Sequence, residues 1–359
     1  MAASAKPRLT DIVVSFLILL TAIKAVYSLW HIITTSAPDF AYYYQASEEA
    51  VRTLDVPIHL LPPASLLLYA PLQYVPYGVA QGIWVLLSFF CLFAVVIAVG
   101  RSVGVKNARV FALIAALAYL SFPTQFTLGM GQVNLIALAL VVASVSLERQ
   151  ERSMISGVVM AVSWLLKPEL VLLLPVMVIC RKWKMIGAAV CALCTAIAVS
   201  VMLWGTEAYT IYGQRLAPLS RGLADAGIYY NQSLTGLLVR GGITSAWIYL
   251  AVVIGVFSVT CYSLGKKQRP FAESIWAYMP ALLLIEPIAW QHHFVLLLPT
   301  YLMLWARHTS LRMRGLIAVS YFLISWNFAS SQFLDTMPLG WLIASHGSIG
   351  ALILWGMTL

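Results

Sequence analysis

Charge is what this sequence has least of. Asp, Glu, Lys and Arg make up 10% of its 359 residues, against 61% hydrophobic residues. Soluble domains carry roughly 25% and 45–50% respectively. The shortage excludes a water-soluble globule with a polar skin and leaves a polytopic integral membrane protein. Internal repeats and low-complexity linkers are also missing, so residues 1–359 read as a single membrane domain. The absence of matching halves weighs against a transporter or lipid-sugar flippase, which places its polar groups near the midplane and often between repeats. Cysteine is sparse. Cys91, Cys180, Cys191, Cys194 and Cys261 all lie in apolar runs, and Cys191-x-x-Cys194 has no His or carboxylate beside it. Packing, rather than redox or metal chemistry, is expected of them. No small-residue cleavage site follows the first apolar segment, so it is expected to be retained as a helix.

What is there is apolar length. Membrane spans need about 20 mostly apolar residues. Twelve are expected, over 11–33, 79–100, 108–124, 132–147, 153–166, 169–180, 185–204, 246–264, 271–286, 292–306, 311–330 and 340–358. The fold class is therefore all-α. With the N-terminus in the cytoplasm, sixteen of the 22 Lys and Arg fall on the cytoplasmic side. Arg52, Lys167, Arg215, Arg221 and Arg240 fall outside, and Lys24 lies within the first span. That bias follows the positive-inside rule. The formal charge of +9 is thus a topology signal facing membrane lipids, not a nucleic-acid surface. Acidic residues run the other way: Asp39, Glu48, Glu49, Asp55, Glu169, Glu207, Asp225, Glu286 and Asp335, nine of thirteen, are extracytoplasmic. So are the long connections 34–78 and 205–245. Chemistry at the outer interface of a plasma (inner) membrane is the expectation.

Several polar sets fall on that side. Pro38-Asp39 follows the first span, with Asp39 readable as a site carboxylate or as a helix cap. Tyr42, Tyr43 and Tyr44 suit a headgroup belt, and 40–53 an interfacial helix. Pro62-Pro63, Pro71 and Pro76 break the following apolar stretch into a re-entrant or surface-lying helix. Gly129, Gly131, Gln132 and Asn134 form a polar helix start, or simply a turn and cap. Lys167 and Glu169 meet between two short spans, where an ionisable group is costly; Lys167 can also snorkel or pair with Glu169. Asn231-Gln232-Ser233 precedes Arg240, and its Asn-x-Ser pattern also fits a glycan acceptor in a secretory lumen. "EPIAWQHHFVLLLP" then brings Glu286, His292 and His293. Successive helical residues diverge by about 100°, so one histidine is expected to face the site while the other anchors. No His-x-x-x-His spacing or nearby Cys accompanies them, and no metal is expected.

The set "PDFxxYY", "LPPxxxLLxxPL", "GQVN", "LLKPELVLLLP", "NQSLTGLLVR" and "WQHHFVLLLP", in that order over about residues 36–300, resembles the family 87 glycosyltransferases. These are GT-C-fold membrane enzymes that include polyprenyl-phosphate-mannose-dependent α-mannosyltransferases and related arabinofuranosyltransferases. The chain departs from the family at Leu61, where an aromatic is common, and at Glu286-Pro287, where Ser-Pro is common. The resemblance implies a GT-C-like fold whose long first external loop carries interfacial helices. It implies Asp39 as the catalytic carboxylate and the histidine pair as part of the site. The donor it implies is a polyprenyl-phosphate sugar, most simply a mannose donor, with arabinofuranose as the alternative and a lipid or glycan as acceptor. No cofactor is expected. Phosphate leaves without a proton donor, so one carboxylate suffices as base, unlike the paired carboxylates of glycosidases. Lys167, Arg240, His292 and His293 would bind the donor phosphate. Gln132, Asn134, Asn231, Gln232 and Glu286 would contact sugar or acceptor. Inversion at the anomeric carbon follows from a single displacement.

Overall fold

The computed structural model describes residues 9–53, 61–221, 226–327, 334 and 336–359. Asp55, Asp225 and Asp335, the basic Lys6 and Arg8, and the end of the expected span 311–330 lie outside these. Every regular element among the described residues is helical. In chain order they are α1 (Leu9–Thr34), α2 (Pro38–Thr53), α3 (Pro63–Tyr69), α4 (Tyr77–Ser102), α5 (Ala108–Leu120), α6 (Phe122–Met130), α7 (Asn134–Arg149) and α8 (Ser153–Leu166). Then come α9 (Leu174–Ile179), α10 (Trp183–Trp204), α11 (Glu207–Arg221), α12 (Leu234–Arg240), α13 (Ala246–Lys267), α14 (Phe271–Ile285), α15 (Leu298–Arg307) and α16 (Leu311–Ser325). Two helices, Gly340–Ala344 and His346–Thr358, close the chain, and 3-10 turns occupy Ala70–Tyr74, Pro168–Leu173 and Gln291–Leu297.

Among the described residues, four helices are long and apolar enough to cross a bilayer: α1, α4, α10 and α13. The pair α5–α6, bent by 65°, makes a fifth if counted as one span. The bend has a local cause, since Pro123 at the head of α6 cannot continue the hydrogen-bond ladder of α5. The expected spans 153–166, 169–180 and 271–286 are shorter apolar helices. Long and short helices differ in what they face. On α1, Val13, Phe16, Val26, Tyr27 and Trp30 are more than half exposed; water would not tolerate such a stripe, and hydrocarbon does. On α14, every side chain from Ser274 to Ile285 is buried, so this helix is the core of the bundle. Several apolar helices, some exposed and some enclosed, are the build of a polytopic membrane protein.

Helix approach is set by small residues. A Cβ on Gly157 of α8 would lie 2.2 Å from the Met185 carbonyl oxygen of α10, so the two backbones meet only because that side chain is absent. Ser144 and Ser156 exchange hydroxyl-to-carbonyl hydrogen bonds, each 2.8 Å, and tie α7 to α8. The cysteines are all free, and Cys191 and Cys194 are exposed on α10. The face these two share points away from the bundle.

Candidate active site

The connection between α1 and α2 is pinned by one amide. Gln81, buried on α4, donates to the carbonyls of Ile32 and Thr35 at 2.8 Å each and accepts from the Tyr77 hydroxyl at 2.6 Å and the Ala37 N–H at 3.3 Å. It thereby satisfies the frayed end of α1 and fixes the entry to α2. Asp39 lies in the first turn of α2. Its Oδ2 accepts a 2.5 Å hydrogen bond from Gln132 Nε2, and Gln132 Oε1 accepts from the Tyr43 hydroxyl at 2.9 Å. Partial burial raises the Asp39 carboxyl above its ordinary value, with the Gln132 bond pulling the other way. The residues 40–53 are helical, as the body of α2, and Asp39 both accepts from Gln132 and lies in the first turn of the helix.

Gln132 reaches Asp39 because of its neighbour. Gly131 ends α6 at φ 69°, and a Cβ there would lie 2.6 Å from Phe40 Cβ. Trp84 Nε1 locks the turn by donating to the Gly131 carbonyl at 2.9 Å. Phe40, Tyr43, Tyr69 and Trp84 pack around it with ring centroids 5.2–5.5 Å apart. This aromatic wall abuts the carboxylate.

The histidine segment forms a 3-10 turn. Its register is held from below, where Asn134 Nδ2 and Thr127 Oγ1 both donate to the His292 carbonyl, at 3.2 and 3.1 Å. Asn134 thus positions the turn. The His292 ring stacks near Trp290 and meets Phe126 edge-on, with centroids 6.4 and 5.1 Å away. The His293 ring turns elsewhere: its Nδ1 lies 3.1 Å from Glu286 Oε1. As expected of neighbours, the two rings face different groups.

Lys167 ends α8 and is buried, with Nζ 3.8 Å from Glu169 Oε2. It lies close enough to Glu286, His292 and His293 to act on each electrostatically. Glu169, Glu286 and His293 present donor atoms within 4.8 Å of one another. Tyr43 joins this cluster to Asp39: burial, then the charges of Asp39 and Glu169, push its phenol upward. Glu169 was not among the expected site residues. Its only sequence signal was its place two residues after Lys167, which reads equally well as a bland ion pair.

Three expected contacts are committed elsewhere. Asn231 accepts from the Ser233 and Ala289 N–H groups at 3.1 and 3.0 Å, and donates to Ala226 and Pro287 carbonyls. It also forms an isolated antiparallel bridge with Trp290. Gln232 donates to Tyr229 and Ala344 carbonyls and accepts from Gly347 and Ser348 N–H groups. Arg240 donates to Ile228 and Asn231 carbonyls and to Ser345 Oγ, and burial lowers it to about 10. These side chains help to frame residues 286–293, and Arg240 keeps one buried nitrogen, Nη2, that makes no hydrogen bond. Asn231 is fully buried, which removes it as a glycan acceptor in the folded chain.

The model of glycosyltransferase family 87 matches residues 60–287. That stretch holds Gln132, Lys167, Glu169 and Glu286, and stops short of Asp39 on one side and the histidine pair on the other. A polyprenol-phosphate-mannose-dependent alpha-(1-2)-phosphatidylinositol pentamannoside mannosyltransferase of Mycolicibacterium smegmatis is 26% identical over 267 residues, 72% of this chain and 63% of the relative. A protein of the same name from Mycobacterium tuberculosis is 25% identical over 268 residues, 71% and 60% of the two chains. The chain spans about three fifths of the length of these curated relatives. No solved structure matches it.

Proposed function

The chain belongs to glycosyltransferase family 87, and from that premise we propose that it transfers mannose from a polyprenyl-phosphate donor to a lipid or glycan acceptor. The observation that carries the reading is Asp39. It is a partly buried carboxylate held by one hydrogen bond from Gln132, and Tyr43 lies between it and a cluster containing Lys167, Glu286 and both histidines. Asp39 takes the proton from the acceptor hydroxyl as that oxygen attacks the anomeric carbon. The bond from that carbon to phosphate oxygen breaks, its electron pair goes to the phosphate, and polyprenyl phosphate departs. One displacement inverts the configuration. Burial that raises the carboxyl makes it a stronger base once ionised. Lys167 and His292 meet the charge that develops on the leaving phosphate. Asn134 acts by positioning His292, while Asn231, Gln232 and Arg240 hold the frame.

The reading includes a GT-C-like bundle of about twelve crossings in a plasma (inner) membrane, with α2 and α3 at the outer interface and the site facing outside. The Lys and Arg asymmetry of the sequence supports that orientation. Arabinofuranose remains the alternative sugar, and a flippase the alternative class.

Purified protein in detergent, given polyprenyl-phosphate mannose and a phosphatidylinositol mannoside, is expected to release polyprenyl phosphate and lengthen the acceptor. Movement of the donor across vesicles without release would replace the transferase with a flippase. Introduced cysteines at positions 242 and 268, in a background lacking the five native thiols, test orientation. The first should label from outside and the second only after permeabilisation; the reverse pattern overturns the outward-facing site.

A further inference from the structure

The Glu169–Glu286–His293 cluster contains more negative charge than its surroundings balance. Glu286 and His293 side chains are 3% and 6% exposed. Neither carboxylate oxygen of Glu286 makes a hydrogen bond, and nor does His293 Nδ1. The 3.1 Å between His293 Nδ1 and Glu286 Oε1 is close but out of line for one. The carboxyl of Glu169 lies within hydrogen-bonding reach of that of Glu286, and no other group donates to Glu169 Oε2 or to either oxygen of Glu286. Ionised carboxylates only accept, so two in contact satisfy each other only by sharing a proton. A buried carboxylate without donors is among the costliest groups a protein can hold. Lys167 brings one positive charge, 3.8 Å from Glu169, against two negative ones.

We propose that Glu169, Glu286 and His293 form a binding site for one divalent transition-metal ion. Two carboxylate oxygens and one imidazole nitrogen suit Mn2+ or Zn2+, whereas Mg2+ and Ca2+ favour oxygen alone. Donors around such an ion at ~2.1 Å stand about 3–4 Å apart, so small side-chain rotations close a set already within 4.8 Å. Glu169, at 37% side-chain exposure, is the entry to a site otherwise enclosed. Sequence pattern did not reveal it because its ligands are supplied by two separate connections, 168–173 and 286–293. The ion's role rests on the transferase reading. With neutral His293 the group of Lys167 and two carboxylates carries a net charge of −1, and a divalent ion makes it +1. A leaving phosphate, which gains negative charge as it departs, would be met by attraction instead of repulsion.

Full-length protein in detergent, stripped with chelator and dialysed, is titrated with Mn2+ while the free-ion EPR signal is followed. One ion per chain is expected, displaced by Zn2+. Glu286→Gln and His293→Ala should weaken binding at least as much as loss of an outer-shell partner does, roughly ten- to a hundredfold. Glu169→Gln, at the partly exposed position, decides the matter if the buried variants fail to fold. No stoichiometric binding, or binding unchanged in Glu169→Gln, overturns the site and leaves two carboxylates sharing a proton. The two readings fail separately. Mn2+ bound at the site with no sugar transfer sinks the transferase alone; full transfer by protein shown to hold no ion sinks the ion's role, and the titration alone judges the site.

Discussion

Two ends of the same bundle treat charge in opposite ways. At one end Lys182 meets Glu148 at 2.9 Å, Arg307 meets Glu273, and Arg109 lies 3.7 Å from Asp11. Glu148, Lys182, Glu273 and Arg307 line a cavity of about 520 Å³, and each carboxylate there has its cation. At the other end Glu286, His292 and His293 are buried with side-chain atoms that make no hydrogen bond. Asp39 is held by a single amide. Exposed pairs such as Arg109–Asp11 and Arg307–Glu273 contribute about 0–1 kcal/mol, whereas Glu148 is buried beside Lys182 with its Oε2 making no hydrogen bond. Buried unpaired groups oppose folding, so a chain retains them where a ligand or a reaction needs them. The contrast sets the end whose carboxylates have cations against the end at which the transfer is proposed.

The comparison breaks most visibly at Asp39. Asp39→Asn keeps the shape and the Gln132 contact in altered form but removes the base, so kcat should fall roughly 10²–10⁴-fold with the melting temperature unchanged. Near-normal turnover in purified Asn protein would remove Asp39 from the chemistry. Next comes His292→Ala. A hydrogen bond to a charged group contributes about 1.5–3 kcal/mol, so kcat/KM for the donor should drop on the order of ten- to a hundredfold. A lower melting temperature with normal donor kinetics would make His292 structural only.

A subtler effect sharpens the picture at the same end. In the proposed role Asp39 acts as a base only when ionised, and burial raises its carboxyl while the Gln132 bond lowers it. Activity should therefore fall as pH drops through that raised value. Gln132→Leu removes the stabilising donor, so the acidic limb of the kcat/KM profile should move to higher pH. A limb that stays put, or moves lower, contradicts the assignment. The smallest change is expected at the paired end. Arg307→Ala breaks a half-exposed pair, and should shift stability by no more than ~1 kcal/mol with unaltered transfer rates. A large loss of activity there would mean that the two ends are coupled.

The sites that sequence made legible were those whose cause is local. Apolar length announced α1, α4, α10 and α13, because a long exposed apolar helix has only lipid as its solvent. Asp39 read equally as a helix cap on its own, and its role as a site carboxylate came from the resemblance. The short helices α8 and α14 were harder to place, since length alone cannot tell a tilted span from a core helix. Asn231, Gln232 and Arg240 looked like ligands because polar residues in an apolar chain draw attention. Their hydrogen bonds go to backbone groups as distant as Gly347 and Ser348, which local pattern cannot show.

By itself the sequence determined that this chain lives in a membrane and that it is helical. Composition and charge decide those things, and they add up residue by residue. Only the tertiary structure decided which polar groups act together. Gln132 meets Asp39 across 93 positions, and Glu169 comes against Glu286 and His293 from a separate connection. The reason is physical. A hydrogen bond or a shared cation depends on separations of a few ångströms, and folding sets those by packing glycines such as Gly131 and Gly157 against neighbours far away in the chain.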